Sequence, residues 1–426
     1  MVKMSLELSV GDMIRIFGSA VVAVEEGSAS ILGATLTSGA IFTIPEFKSY
    51  VLKSLANSRI LISLEKNARV EVAVPEEEPY NEWVEVADAI IGGCLKGCTT
   101  LILGPTDAGK SSFAALLANR SLSLGLKPAI IDADVGQADL GPPGFIGLAM
   151  PSSYVSWLRD LKPVMLRFIG SIEPSPLIGK IISSCTELKM KALESGADII
   201  IVSSDGWIEG WSALEYKLDL ARSIDATHIV VIGSDELAIF MARSIHGNVY
   251  RLPRPMVQAL RSPEDRRRIR QDNYRRFLEG DIIEINLDDI AVQGACISGK
   301  PVSRSVEEFI SELLGTTLLE VLEYPGGLCL YLNEEKSIQP QSLKELQKRV
   351  QGKEILTIVI EPEMRILAAL RDINNYDCPA LLLNVDLEKR KAVFQTKCRG
   401  PFKTVFFSRI KLTRDYREAS RGRIVI

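Results

Sequence analysis

The sequence predicts an α/β fold: a mostly parallel, doubly wound sheet in the middle of the chain, with β-rich segments before and after it. Between residues 87 and 286, apolar runs alternate with helical stretches, as in parallel sheets whose strands are connected by helices. These runs are almost continuously apolar, which is typical of strands buried on both faces. Residues 1–86 and 287–426 contain instead short strand-like runs separated by turn residues.

The first segment, residues 1–86, is predicted to form a small β-sandwich because its strand-like runs are short and punctuated by Gly, Ser and Asn. These runs are MIRIFG (13–18), SAVVAVEEG (19–27), SASILGATL (28–36) and ILISLE (60–65). The polar, acidic stretch PEEEPYNEW (75–83) that follows is expected to be a linker.

Five apolar runs predict the strands of the central segment, residues 87–286. They are TTLILG (99–104), PAIIDAD (128–134), VMLRFIG (164–170), ADIIIVSS (197–204) and THIVVIG (227–233). The last segment, residues 287–426, is predicted to be a second β-rich domain that begins with a helix. Its helix is SVEEFISELLG (305–315), and its strands are GLCLYLN (327–333), EILTIVIE (354–361), PALLLNVD (379–386), KAVFQTK (391–397) and TVFFSRIKL (404–412).

Composition excludes several classes of protein. Of the 426 residues, 46% are hydrophobic and 24% charged, close to the globular average, which excludes disordered, collagenous and coiled-coil chains. No apolar run approaches the ~20 residues that span a bilayer, and the first residues do not resemble a secretory signal. We therefore expect a cytoplasmic protein without a membrane association. The net charge of −4 disfavours a uniformly basic protein that coats nucleic acid.

The cysteines and histidines predict neither a zinc site nor a hydrolytic triad. Seven cysteines are scattered along the chain, and no second Cys or His pair accompanies Cys94 and Cys98. We expect reduced, mostly buried thiols. Only two histidines are present, which makes a Ser–His–Asp triad improbable.

One segment matches the phosphate-binding motif G-x-x-x-x-G-K-[ST] in full. It consists of Gly104, Pro105, Thr106, Asp107, Ala108, Gly109, Lys110 and Ser111. An apolar strand precedes it and an amphipathic helix follows, so the helix N-terminus faces the same anion as the loop amides. In such a loop the lysine reaches the β- and γ-phosphates, and the serine hydroxyl is a ligand for Mg²⁺. The sequence therefore predicts a nucleotide triphosphate site.

Two aspartates end the next predicted strand. Asp132 and Asp134 in IIDADVGQ lie at the carboxyl end of a strand, the edge at which doubly wound sheets bind ligands. A carboxylate there can hold Mg²⁺ through water or accept a proton from an attacking hydroxyl. Spacing alone does not decide which aspartate has which role.

Arginines are concentrated near the end of the central segment. Residues 243–276 contain ten arginines and only three acidic residues. Arg266 and Arg270 share a face of a predicted helix, and Arg261 lies before its start. Guanidinium groups suit either a transferring phosphate or a nucleic-acid backbone, whereas a merely solvated charged helix is the alternative. Trp207 follows another strand end, where it can stack on a base or simply pack in the core.

Together these residues make the chain resemble the Clp1/Grc3/Nol9 family of polynucleotide 5′-hydroxyl kinases. The family's phosphate loop, G-P-T-D-x-G-K-S/T, is matched at 104–111, and its D-x-G-Q motif is matched at 134–137. Its T-x-G-W clasp is matched at 204–207, with Ser204 in place of Thr. Its R-S-x-x-x-R-x-x-x-R lid is matched by Arg261, Arg266 and Arg270.

The resemblance implies a P-loop kinase domain (87–286) between an N-terminal β-sandwich-like domain (1–86) and a C-terminal β-rich domain (287–426). It implies transfer of the ATP γ-phosphate to the 5′-hydroxyl of RNA, with DNA left open, and a need for Mg²⁺. The implied catalytic residues are Lys110, Asp134, Arg266 and Arg270. The implied acceptor-strand contacts are Trp207, Gln137, Ser204 and Arg261, and the metal ligands are Ser111 and Asp132. ATP contacts are expected from residues 104–111, Ser112 and Glu7, the last near adenine. Glu173 stands where the family often has Ser or Thr.

Two other functions remain open at this level. Some members of the family are structural partners in RNA-processing assemblies that bind ATP without transferring its phosphate, and protein partners of this chain are unknown. A P-loop ATPase or small-molecule kinase of another family is the second alternative. The arginines, Trp207 and Asp134 favour a catalyst, because a scaffold has no need to retain them.

Overall fold

The computed structural model describes residues 2–74, 77–257, 262–294, 299–332, 338–359 and 365–419. The chain divides into two compact units, Met1–Arg266 and Arg267–Ile426. The borders predicted after residues 86 and 286 do not coincide with this division. No helix in the described ranges is long and apolar enough to cross a membrane.

The first 72 residues form nine strands in two antiparallel sheets. The strands are β1 (Val2–Leu8), β2 (Met13–Phe17), β3 (Ala20–Glu26), β4 (Ser28–Ile31), β5 (Ala34–Thr37), β6 (Ile41–Ile44), β7 (Ser49–Ser54), β8 (Ser58–Leu64) and β9 (Arg69–Val72). The sheet orders are β1-β8-β3-β6 and β5-β4-β7-β2-β9. Ala20, Val22 and Val24 alternate inward along β3, and both sheets contribute to one hydrophobic cluster. Each of the four predicted runs overlaps at least one of these strands.

Helix α1 (Tyr80–Gly93) corrects the expected linker at 75–83, because the helix already includes its last four residues. Two aromatic side chains in this polar stretch are buried, Tyr80 and Trp83. The Tyr80 hydroxyl lies 2.7 Å from Ser30 Oγ, which joins the helix to the first sandwich. Burial of two large aromatic rings favours an ordered helix there over a solvated linker.

The central sheet has seven strands. Those in its middle are buried along their whole length, which accounts for the continuous apolar runs in the sequence. The strands are β10 (Cys98–Leu103), β11 (Pro128–Ala133), β12 (Phe145–Ala149), β13 (Met165–Phe168), β14 (Ile199–Ser204), β15 (His228–Ile232) and β16 (Asn248–Leu252), in the order β13-β12-β11-β14-β10-β15-β16. The pairs β11–β14, β14–β10 and β10–β15 are parallel, as predicted. Strand β16, which the sequence did not predict, is parallel to β15. Strand β13, predicted to be parallel, is instead antiparallel to β12, a strand that the sequence analysis did not identify.

Helices cover both faces of this sheet. They are α2 (Lys110–Ser123), α3 (Ile178–Glu194), α4 (Trp211–Ser223) and α5 (Asp235–Ser244). Later in the chain, helix α6 (Pro263–Leu278) spans the point at which the two units divide. Along β14, Ile199 and Ile201 belong to one hydrophobic cluster, whereas Ile200 and Val202 belong to the other. Burial of both sets of side chains is the reason that the run has no polar alternation.

The N-terminal sandwich and helix α2 share the first of these clusters. Asn119 on α2 is fully buried, and its Nδ2 donates to Leu32 O at 2.8 Å and to Val155 O at 2.9 Å. Gly33, in the turn between β4 and β5, has φ +77°, and an added Cβ would lie 2.4 Å from Leu116 O. The sandwich is therefore packed directly on the helix that follows the phosphate loop.

Among its described residues, the second unit contains two sheets, the larger part of helix α6 and two further helices. Its elements are β17 (Asp281–Asn286), β18 (Ala291–Gln293), β19 (Lys300–Pro301), α7 (Arg304–Leu314), β20 (Leu318–Tyr324), β21 (Gly327–Leu332), α8 (Pro340–Arg349), β22 (Glu354–Val359), β23 (Ile366–Asp372), β24 (Asp377–Asp386), β25 (Lys391–Thr396) and β26 (Phe402–Lys411). The sheet orders are β17-β25-β24-β23-β26-β18 and β19-β20-β21-β22. The predicted helix and all five predicted strands of this segment are present.

The expectation of reduced thiols is wrong for several cysteines. Cys94 is bonded to Cys98 with 5.5 Å between their Cα atoms, and Cys378 to Cys398 with 6.0 Å. Cys378 and Cys398 lie 20 residues apart in the chain, so only the folded sheet brings them together. Among the described residues, Cys185 is a free thiol and is buried.

Candidate active site

The phosphate loop connects β10 to α2 and depends on left-handed backbone conformations. Gly104 has φ +148°, Asp107 has φ +59° and Gly109 has φ +104°. A Cβ on Gly104 would lie 2.4 Å from Ile232 O, and one on Gly109 would lie 2.7 Å from the Trp83 ring. Glycine is required at both positions by conformation and by space. The loop leads directly into the N-terminus of a 14-residue helix, which favours anions.

Lys110 has its ammonium group inside the loop. Its Nζ donates to Gly104 O at 3.0 Å and to Pro105 O at 2.8 Å, and the residue is only 7% exposed. Burial lowers the pKa of Lys110, and the Asp134 carboxylate opposes this shift. A buried cation whose hydrogen-bond acceptors are loop carbonyls fits a phosphate ligand, since anionic oxygens are stronger acceptors than carbonyls.

The two predicted aspartates have different surroundings. Asp132 is buried, and its Oδ2 accepts from Asp139 N at 2.6 Å and Leu140 N at 3.1 Å. Burial raises the pKa of Asp132 to about 8, and the neighbouring Asp139 and Asp134 add to this shift. These contacts fold the loop after β11 back onto its own strand, so the carboxyl of Asp132 has a structural role whether or not it also assists a metal ion.

Asp134 is the more accessible of the pair. It is partly buried, and its Oδ1 accepts from Gly136 N at 3.0 Å and Gln137 N at 2.9 Å. Burial raises the pKa of Asp134, the Lys110 ammonium lowers it and Asp205 raises it. The D-x-G-Q motif therefore forms a turn that fixes one carboxylate oxygen. Gln137 lines the same cleft as Asp134.

The clasp, residues 204–207, follows β14 and touches the phosphate loop. A Cβ on Gly206 would lie 2.4 Å from Thr106 Oγ1 and 2.7 Å from Thr106 N. Trp207 is partly buried and its ring stacks on Tyr216, with centroids 6.1 Å apart and 29° between the planes. Ser204 is fully buried and its hydroxyl donates to Asp205 O at 3.2 Å. This burial gives the predicted contact of Ser204 with an acceptor strand no support.

The arginines of the predicted lid are in different surroundings. Arg266 lies next to the phosphate loop, with its Nη2 3.3 Å from Asp107 Oδ2. Arg270 belongs to the second unit, where its guanidinium makes two bonds to Glu418, at 3.0 and 3.1 Å. Arg261 lies outside the described residues. The structure thus brings Arg266 to the loop.

An open cleft beside the loop includes residues that the sequence analysis missed. From the N-terminal sandwich these are Arg15, Leu32, Phe47, Lys48, Ser49, Tyr50 and Val51, with Glu78, Pro79, Tyr80 and Trp83 next to them. Glu7, the predicted adenine contact, is exposed on β1 and does not line the cleft. Arg15 and Glu78 form a buried ion pair, and Arg15 Nη1 donates to Ser49 Oγ at 2.8 Å.

The donor set fits a nucleotide with Mg²⁺. Ser111 and Ser112 open helix α2 and line the same cleft as Asp134. No group of three or more His, Cys, Asp or Glu side chains that could hold a metal ion occurs among the described residues. A Mg²⁺ ion that binds to one or two protein oxygens together with phosphate oxygens needs no such cage.

Comparison with known proteins agrees with this site. A family model described as the P-loop of the mRNA cleavage and polyadenylation factor CLP1 matches residues 104–280, which include the phosphate loop, the aspartates, the clasp and the arginines. Over these residues the chain is similar to the Clp1 family. Its fold also matches a solved structure of Clp1p in complex with Pcf11p, with a TM-score of 0.62, 15% identity, and coverage of 96% of this chain and 99% of that one.

The curated relatives of this chain include archaeal proteins. A polyribonucleotide 5′-hydroxyl-kinase of Thermococcus kodakarensis is 28% identical over 244 residues, which are 57% of this chain and 69% of the relative. A protein of the same name from Pyrococcus furiosus is 30% identical over 242 residues, 57% of this chain and 66% of the relative. The matched region is about two thirds of each relative's length.

Proposed function

We propose that this protein is a polynucleotide 5′-hydroxyl kinase that transfers the γ-phosphate of ATP to the 5′-hydroxyl end of RNA. The observation that carries the proposal is the position of Asp134, a carboxylate with one oxygen fixed by loop amides, in the same cleft as Lys110 of the phosphate loop. A base beside a triphosphate cradle is what attack by a hydroxyl on the γ-phosphorus requires.

ATP binds with its phosphates in the 104–111 loop and its nucleoside towards the sandwich side of the cleft, near Lys48 and Tyr50. Lys110 leaves the loop carbonyls and pairs with the β- and γ-phosphate oxygens. Ser111, with Asp132 or Asp134 acting through water, would hold a Mg²⁺ ion, which supplies positive charge to the phosphate oxygens when bound.

Asp134 orients the 5′-hydroxyl of the acceptor and accepts its proton through the oxygen that the turn does not occupy. The 5′-oxygen forms a bond to the γ-phosphorus as the bond to the bridging β–γ oxygen breaks, and ADP leaves. Arg266, already beside Asp107 at the mouth of the loop, supplies charge to the transferring group. Trp207 stacks on the terminal nucleotide with the ring face that Tyr216 does not cover. Arg270 and Arg261 are proposed to act with Arg266.

Three broader statements belong to the same proposal. The β-rich parts before and after the central sheet are flanking domains of a P-loop kinase. The protein works in the cytoplasm. A protein partner in RNA processing is expected by analogy with the Clp1p structure solved in complex with Pcf11p, since that fold matches almost the whole chain.

The test is phosphate transfer from γ-labelled ATP to a 5′-hydroxyl oligoribonucleotide, with 5′-hydroxyl DNA and 5′-phosphorylated RNA as comparison substrates. We expect label on the 5′-hydroxyl RNA alone or on both 5′-hydroxyl strands, and none with Lys110→Ala. If wild-type protein binds ATP and transfers no label, the structural-subunit alternative is correct. If ATP turnover is the same with and without 5′-hydroxyl strands, the protein is an ATPase.

A further inference from the structure

A fully buried lysine that phosphate transfer does not use lies behind the clasp. Lys217 on α4 is 0% exposed, and its Nζ lies 2.8 Å from Asp205 Oδ2. Asp205 is itself only 3% exposed. Neither residue belongs to the phosphate loop, the D-x-G-Q turn or the arginines. Since desolvating two charges costs about as much as their attraction returns, stability alone is a weak explanation for such a pair.

Asp205 connects this lysine to Trp207. Its Oδ1 accepts from Trp207 N at 2.9 Å, and its Oδ2 accepts from Tyr216 Oη at 2.8 Å as well as from Lys217. Tyr216 in turn stacks on the Trp207 ring. The backbone and the indole of Trp207 are therefore held by one buried set of three side chains, two of them adjacent on α4.

The same turn contacts the phosphate loop. Gly206 lies between Asp205 and Trp207, and its Cα faces Thr106 so closely that a Cβ would lie 2.7 Å from Thr106 N. A shift of Asp205 would move the two residues that follow it, Gly206 against the phosphate loop and Trp207 on its Tyr216 support. The turn thus links the two substrates' binding elements.

We propose that Asp205, Lys217 and Tyr216 form a positioning network that fixes Trp207 and Gly206 relative to the phosphate loop, and so aligns the terminal nucleotide of the acceptor with the γ-phosphate. This inference rests on the proposed kinase function. Each of the three residues acts as a positioning residue, through Trp207 or Gly206.

The experiment compares Lys217→Met, Asp205→Asn, the double variant and Tyr216→Phe, with Asp219→Asn on the exposed side of α4 as control. Steady-state transfer to a 5′-hydroxyl oligoribonucleotide is measured, with kcat and the KM values for both substrates. We expect Lys217→Met to raise the oligonucleotide KM about tenfold and the ATP KM less than about threefold. Tyr216→Phe should also raise the oligonucleotide KM, whereas Asp219→Asn should change neither KM.

The double variant decides the outcome if Lys217→Met folds poorly, because it removes both buried charges while the amide oxygen introduced by Asp205→Asn can still accept from Trp207 N. We expect it to fold and to recover part of the loss in oligonucleotide KM. Additive effects of the two single changes, or equal increases of both KM values, overturn the network. A wild type that transfers no phosphate refutes the kinase function and this inference with it, whereas an active wild type with additive variants refutes the network alone.

Discussion

Replacement of Gly206 by alanine tests the contact between the clasp and the phosphate loop. The new Cβ would lie 2.4 Å from Thr106 Oγ1 and 2.7 Å from Thr106 N, where ordinary contacts begin at 3.4 Å. The hydroxyl can rotate away but the backbone nitrogen cannot, so the two segments must separate by roughly 0.7 Å. Misplacement of reacting groups by about 1 Å can lower the rate about 100-fold. Because the separation here is somewhat smaller, we expect kcat/KM to fall by roughly 30- to 100-fold.

The assay is steady-state phosphate transfer with both substrates varied, together with thermal unfolding. Gly179→Ala is the matched control, because it places alanine in helix α3 with no atom within 4 Å of the new Cβ. We expect the control to retain activity and to gain up to about 1 kcal/mol of stability. A Gly206→Ala enzyme with kcat/KM within about threefold of wild type would show that the contact does not align the site.

Three further predictions concern single side chains. Asp134→Asn should lower kcat by about 100-fold or more with ATP affinity retained. Because the pKa of Asp134 is raised above its ordinary 3.8, wild-type kcat/KM should fall as pH decreases through that raised pKa. A kcat/KM that does not change down to pH 4 would contradict this role. Trp207→Ala should weaken the binding free energy of the oligonucleotide by the ~1–3 kcal/mol of base stacking. The Kd is measured by fluorescence anisotropy with Trp207→Phe as the milder control, and an unchanged Kd would exclude stacking. Glu78→Gln leaves the buried Arg15 charge unpaired and should destabilise the protein by about 3–5 kcal/mol in denaturant titrations, whereas the exposed pair partner Glu71→Gln should cost less than about 1 kcal/mol.

The parts of the site that the sequence predicted are those that lie within short segments. The phosphate loop, the D-x-G-Q turn and the clasp each use residues within eight positions of one another, because the backbone itself forms the ligand-binding shape. Parallel strands then bring their carboxyl ends to one edge without further information. This is why Lys110, Asp134 and Trp207 could be chosen in advance, although their roles stay predictions.

The residues that were missed depend on contacts between distant segments. Lys48 and Tyr50 reach the cleft only because the sandwich packs on α2, and no local pattern marks them. Glu7, which the resemblance placed near adenine, is exposed on β1, and its short strand carries no motif that would fix its position relative to the cleft. Lys217 sits in an ordinary amphipathic helix, where a lysine predicts an exposed side chain. Its burial follows from Asp205, twelve positions earlier, which supplies the countercharge.

The fully buried Asn119 has a consequence for how the molecule can be divided. Its amide satisfies Leu32 O on one side and both the N–H and the carbonyl of Val155 on the other. A shortened protein that starts at α1 would leave this amide and the apolar side of α2 facing water where the sandwich had been. A minimal catalyst should therefore retain residues 2–74. The same holds for any chimera that transfers this phosphate loop and α2 to another protein, because the sandwich covers the apolar side of that helix.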